Sequence, residues 1–245
     1  MSNRIVSVCG WLSLLFAVTV MTGCSNESNP TQSLTAGRTG NDNALPEKWG
    51  ISVRDALRVK TDTARSRLWV LGLDNVRVYD TVKKRLIRQI ALPNWSTVHF
   101  VCPPDMALDP SGSALVSSNA QPRLARIDAS SFELTEYEIR LHERERWDTG
   151  FGALVFGKDG ALFAVTSSAS SLWKVDLGRA SARMVKLNTP LLNACALTTA
   201  AEGDQGAGTG ITSLCIDRDD YRRIDISSDF ARGRVTDAPC NNTQR

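Results

Sequence analysis

Ala161-Leu-Phe-Ala-Val165, running on to Lys174-Val-Asp176, decides the fold, because the chain writes it more than once. Arg67-Leu-Trp-Val-Leu71 leads to Val78-Tyr-Asp80, and Ala114-Leu-Val-Ser-Ser118 leads to Arg126-Ile-Asp128. The three aspartates stand 48 residues apart, and Leu68, Leu115 and Leu162 stand 47 apart. A looser copy runs from Ile211 through Leu214 and Tyr221 to Asp225, 49 residues beyond Asp176. Self-similarity at such a period marks a repeat architecture.

Each unit has the same logic. An apolar run leads to a turn such as Asp109-Pro-Ser-Gly112 or Gly157-Lys-Asp-Gly160, and a second apolar run follows. A third ends in the aspartate, and a fourth alternates, as in Leu86, Ile87, Ile90 and Leu92. Alternation with β-branched residues predicts strands rather than helices. A glycine closing each turn suits the positive φ of a bulged hairpin. The aspartates are expected to accept N–H bonds from the turns that follow them.

Four strands per unit of about 48 residues predict an all-β chain of propeller blades, each a four-stranded antiparallel sheet. The strand leucine, the Val/Ile-Asp ending and the Asp-x-x-Gly hairpin resemble YVTN and NHL propeller repeats over residues 52 to 236. Four blades can be counted, whereas propellers of that kind close at six to eight. An antiparallel β-sandwich is the alternative. On the propeller resemblance, Cys195 and Cys215 fall in neighbouring strands of the last unit. Cys102 and Cys240 would then tie the C-terminal end back to the body.

The N-terminus supplies an address. Arg4 precedes an apolar run from Ile5 to Val20, shorter than the about 20 residues of a spanning helix. A charged start, a short apolar core and small residues at the end describe a secretory signal. Its end, Val20-Met21-Thr22-Gly23-Cys24, resembles the lipobox of bacterial lipoproteins. That resemblance implies cleavage after residue 23, acylation of Cys24 and a lipid bilayer as first partner. Ser25 in place of Asp implies, for a Gram-negative host, the outer membrane and a periplasm-facing domain. Residues 24–48, rich in Ser, Asn, Thr and Gly, read as a flexible tether, residues 49–240 as the β-domain and 241–245 as a polar tail.

Composition narrows the rest. The net charge of +3 falls to +2 when Arg4 leaves, which gives no footprint for nucleic acid. Of six cysteines, Cys9 leaves with the signal and Cys24 takes the lipid. Cys102, Cys195, Cys215 and Cys240 remain, an even number that an oxidising compartment turns into two disulfides.

The sequence has two histidines, His99 and His142, and neither forms a ligand-like pair. It contains no Gly-x-Ser-x-Gly elbow and no His-Glu-x-x-His. Gly206-Ala-Gly-Thr-Gly210 lacks the strand–helix setting of a nucleotide loop. Asp217-Arg-Asp-Asp220 lacks the glycine and distal glutamate of a calcium loop. No cofactor, metal or catalytic residue is therefore expected. The connectors between blades share one face of a propeller and carry Trp95, His99, Phe100, Arg146, Trp147, Asp148 and Phe151. Aromatic and arginine side chains on loops are the usual anchors of interfaces and ligand sites. The expected function is a non-enzymatic scaffold that binds another cell-envelope protein. The alternative is a lactonase-like propeller enzyme or a periplasmic small-molecule sensor.

Overall fold

The computed structural model describes residues 56–99, 102–142, 150–157, 159–192, 194–199, 212–216 and 222–236. The signal, the lipobox cysteine Cys24, the tether, the tail, Phe100, Arg146, Trp147, Asp148, Cys240 and the 206–210 and 217–220 segments lie outside them.

The described residues are all-β and form four sheets. The first blade is β1 (Arg58–Asp62), β2 (Arg67–Leu71), β3 (Asn75–Asp80) and β4 (Arg85–Ala91). The second is β5 (Met106–Leu108), β6 (Ala114–Ser117), β7 (Arg123–Ile127) and β8 (Leu134–Glu138). Each is an antiparallel meander in chain order. In the third, β10 (Phe151–Phe156), β11 (Leu162–Thr166), β12 (Leu172–Asp176) and β13 (Ser181–Met184) form the meander. β9 (Arg140–His142) adds to β13 in parallel. The fourth runs through β15 (Leu197–Thr199), β16 (Thr212–Ile216), β17 (Arg222–Ile226) and β18 (Arg232–Thr236), with β14 (Lys186–Leu187) parallel on β18. The four-stranded propeller-like blade read from the repeats is the observed unit, and among the described residues no sheet closes on itself.

The extra parallel strands follow from chain path. The chain leaves the outer strand of one blade and lies for two or three residues along the outer edge of the next. It then crosses to the inner strand. That path covers the edges of β13 and β18, which would otherwise present unpaired N–H and C=O groups.

Apolar residues fill the spaces between blades. Trp69, Leu71, Val76 and Val78 pack against Met106, Val116 and Ile127, joining the first two blades. Leu115 and Leu124 meet Phe151, Leu162, Ala164 and Trp173 between the second and third. Phe163, Val165 and Leu172 meet Leu214, Ile224 and Ile226 between the third and fourth. Trp69 in β2 and Trp173 in β12 are fully buried.

The turns obey the repeat. Gly112 and Gly160 have φ of +82° and +77°, the left-handed region that glycine enters without a Cβ penalty. Asp80 accepts N–H bonds from Val82 and Lys83, Asp128 from Ser130 and Ser131, and Asp176 from Arg179. Four residues after each aspartate stands a left-handed residue: Lys84, Phe132 and Ala180. The fourth unit departs from this. Asp225 lies inside β17 and accepts from Arg223, while Ser227 and Asp229 hold the following turn.

Candidate functional site

The inner strands set the face that a ligand or partner would meet. β1 neighbours β5, β5 neighbours β10, and β10 neighbours β15. The entries to the inner strands and the ends of β6 and β11 come together on one side. Asn119, fully buried just beyond β6, donates to the carbonyls of Val98 (2.7 Å) and Cys102 (2.9 Å) and accepts from the Val98 N–H (2.9 Å). Ser118 Oγ donates to Ser96 O, and Ser167 Oγ donates to Asn119 O. The Phe151 N–H donates to Ser118 O, and the Ala194 N–H donates to Ser170 Oγ. Side chains therefore supply the partners that connectors cannot find in a ladder, as buried backbone requires.

Beneath this layer lies Asp105, 5 % exposed. One carboxylate oxygen accepts from Arg58 Nε (3.1 Å) and from its neighbour's Met106 N–H (2.8 Å). The other accepts the Leu154 N–H at 2.8 Å. A single side chain thus ties β1, β5 and β10. Such a charge is tolerated in the interior only when paired and hydrogen-bonded. The sequence reading missed Asp105. The signal available was an acid directly before the apolar run Met106-Ala107-Leu108 of an inner strand.

A disulfide joins Cys102 to Cys195, 93 residues apart. This corrects both expected pairings, Cys195 with Cys215 and Cys102 with Cys240. In the fourth sheet Thr198, not Cys195, stands opposite Cys215, so Cys195 lies three residues beyond the reach of that pair. Cys195 instead enters β15 beside the connector that enters β5. The bond passes the start of β10 at Gly152, where a Cβ would stand 2.4 Å from Cys102 Cβ. Cys215 is disulfide-bonded as well.

The sequence-nominated residues separate. Trp95 is half-buried, packs on the core of the first two blades, and donates its indole N–H to Ser117 O at 2.8 Å. Its first task is to hold its connector down. His99, four residues on, is exposed. Phe151 is corrected from a rim residue to a core one. It opens β10, is fully buried, and packs with the second and third blades. β10 is buried on both faces over Phe151–Leu154, and a bulge between Phe151 and Ala153 sets Phe151 with Leu154 in the core between the second and third blades.

Two acids near the turns are held below the usual carboxylate range. Burial pushes Asp109 up, but the Ser111 hydroxyl, the Ser113 N–H and Arg126 together outweigh it. At Asp128 the N–H groups of Ser131 and Ser130 lower it. Among the described residues no three His, Cys, Asp or Glu side chains gather as a metal site.

Solved structures repeat this architecture. A virginiamycin B lyase from Staphylococcus aureus matches with a TM-score of 0.52 at 17 % identity, over 76 % of this chain and 56 % of that chain. A streptogramin B lyase matches with a TM-score of 0.52 at 10 % identity, over 76 % of this chain and 54 % of that one. The propeller-type fold is shared. This chain spans little more than half the length of those proteins. No family model matches the sequence, and no curated protein matches it.

Proposed function

We propose that this chain is a lipoprotein, acylated at Cys24 and held at the periplasmic face of the outer membrane, whose blades form a non-enzymatic scaffold for another envelope protein. The observation that carries the reading is the connector face. The hydroxyls of Ser118 and Ser167 and the amide of Asn119 are committed to backbone partners. Among the described residues, those bonds hold the connector at Ser96, Val98 and Cys102 and leave His99 exposed beside the anchored Trp95. Preorganised loops lose little entropy on docking, which suits partner binding. The lipobox resemblance supports the anchor, and Trp147, Arg146, Asp148 and Phe100 extend the same connectors in sequence.

In-cell crosslinking followed by affinity isolation tests the reading, with Cys24→Ala as the mislocalised control. An envelope protein enriched with the lipidated form, and lost with His99→Asp or Trp147→Ala at unchanged melting temperature, is the expected outcome. A partnerless monomer overturns the scaffold. The fold shared with virginiamycin B lyase favours one second reading, a small-molecule propeller enzyme or sensor. A ligand screen that raised the melting temperature of the partnerless protein would favour it.

A further inference from the structure

We propose that the outer edge of the first blade docks on an anionic phospholipid surface. β4 is the last strand of its sheet, and every residue from Val82 to Gln89 is exposed. Three of these are aliphatic: Val82 at 75 %, Leu86 at 47 % and Ile87 at 40 %. Four are cations: Lys83, Lys84, Arg85 and Arg88. The carboxylate of the same turn, Asp80, accepts the N–H groups of Val82 and Lys83 through one oxygen and keeps its charge near Lys83 and Arg85, so four cations stand against one acid.

The other outer edges differ in kind. β8 and the turn before it carry the exposed acids Glu133, Glu136 and Glu138, and Asn94 lies against Glu136 at 2.9 Å. β13 and β18 are covered by β9 and β14. Among the described edges, only that of the first blade joins cations to bare aliphatic side chains. Opposite charge on the neighbouring edge gives the molecule a polarity that an anionic surface would orient.

The chemistry of the occupant follows from that mixture. Aliphatic side chains at a rim enter the headgroup boundary, while surrounding lysines and arginines meet lipid phosphates. Cations along an edge strand discourage pairing with another strand, so a lipid surface fits this edge better than a strand donor. The first blade is also the one that the N-terminal chain enters. Arg58 begins β1 34 residues after Cys24, and a coil with the flexibility expected from the tether's composition would span about 30 Å over that length. This last point rests on the lipid-anchor reading, whereas the patch stands without it.

The test uses the Cys24→Ala chain without its signal, sedimented with vesicles of phosphatidylglycerol and phosphatidylethanolamine or of phosphatidylcholine alone. Binding to the anionic vesicles only, weakened by salt, is expected. Reversal of Lys83, Lys84, Arg85 and Arg88 to Glu lowers the partition coefficient at least a hundredfold, at about fivefold per cation. Leu86→Ser with Ile87→Ser lowers it about tenfold. Arg232→Glu with Arg234→Glu, equal in kind but on the fourth blade, leaves it within about twofold. Unchanged melting temperatures show that the variants are folded. The proposal is overturned by equal binding to both vesicle types, by an equal loss in the fourth-blade control, or by a protein captured on β4 without vesicle binding. If the unlipidated chain ignores vesicles while the native chain fractionates with membranes, the docking surface falls and the Cys24 anchor stands.

Discussion

Arg58 Nε stands 3.1 Å from Asp105 Oδ1 across the boundary between the first and second blades, with both side chains almost wholly inside. The other oxygen of Asp105 holds the Leu154 N–H of the third blade, so three blades share one carboxylate. Asp105→Ala removes the partner of a buried cation and of two N–H groups at once. It should cost about 3–5 kcal/mol. Arg58→Leu leaves Asp105 with its two N–H donors and should cost less. Urea denaturation of the two variants checks the order, and equal or reversed losses would refute it.

Gly150 and Gly152 mark where the entry to the third blade passes closely by the Ser118 carbonyl and the disulfide-bonded Cys102 side chain. A Cβ on Gly150 would stand 2.1 Å from Ser118 O, and one on Gly152 would stand 2.4 Å from Cys102 Cβ. Gly160 has open space around it but φ +77°, so Gly160→Ala should cost only about 1–2 kcal/mol. Gly150→Ala should lower the melting temperature more than Gly160→Ala. The Gly152→Ala loss should shrink when the disulfide is reduced, because Cys102 can then move. Additive effects of reduction and Gly152→Ala would argue against this coupling.

The disulfide closes a 93-residue loop between the entries to the second and fourth blades. Cross-linking a loop of that length restricts the unfolded chain by about 4–5 kcal/mol. Cys102→Ser or Cys195→Ser should therefore lower the denaturant midpoint alike, and together no further. Non-reducing peptide mapping should recover Cys102 with Cys195. A Cys195–Cys215 peptide would contradict the register of the fourth sheet.

The blades were legible in the sequence because their signal is local. Leu68, Leu115 and Leu162, the turn glycines and Asp80, Asp128 and Asp176 each act within a few residues of themselves. The disulfide was not, since its partners meet only when successive inner strands stand side by side. Phe151 misled for a related reason. It borders a connector in sequence, but it opens a strand buried on both faces, and no alternation of apolar and polar residues marks that. Asp105 escaped notice because its three partners lie on three blades, and spacing along the chain carries no trace of that.

Phe132 and Ala180 occupy the same left-handed position, four residues after Asp128 and Asp176. Phe132 earns it by contact. Its ring lies 6.2 Å from Trp69 of the preceding blade, with the Arg67 guanidinium 5.1 Å above it. Phe230 repeats the arrangement against Phe163 at 5.9 Å. Ala180 has little side chain to pack, so Ala180→Gly should stabilise by about 1 kcal/mol. Phe132→Gly should destabilise, since the lost aromatic contact and burial exceed the relieved strain. Opposite signs in thermal unfolding are expected, and a stabilising Phe132→Gly would refute the packing role.

Acid should unfold the protein through its turns. Asp80 is lowered chiefly by the Lys83 N–H, Asp128 by those of Ser131 and Ser130, and Asp229 by the Ser227 hydroxyl and the Ala231 N–H. In Asp109, burial opposes the lowering but hydrogen bonds prevail. A carboxylate whose folded pKa lies below its unfolded value of about 3.9 binds its proton less readily when folded. Its contribution is complete above that value and is lost as pH falls through the depressed folded pKa. The melting temperature should therefore be insensitive to these four groups above about pH 5 and fall steeply below about pH 4. Asp128→Asn keeps an acceptor for the turn but no longer titrates, so it should flatten the acid limb while changing the neutral melting temperature little. Asp128→Ala should lower stability at pH 7 and flatten the limb as well. An acid limb of unchanged slope in both variants would show that the turn aspartates do not carry the pH dependence.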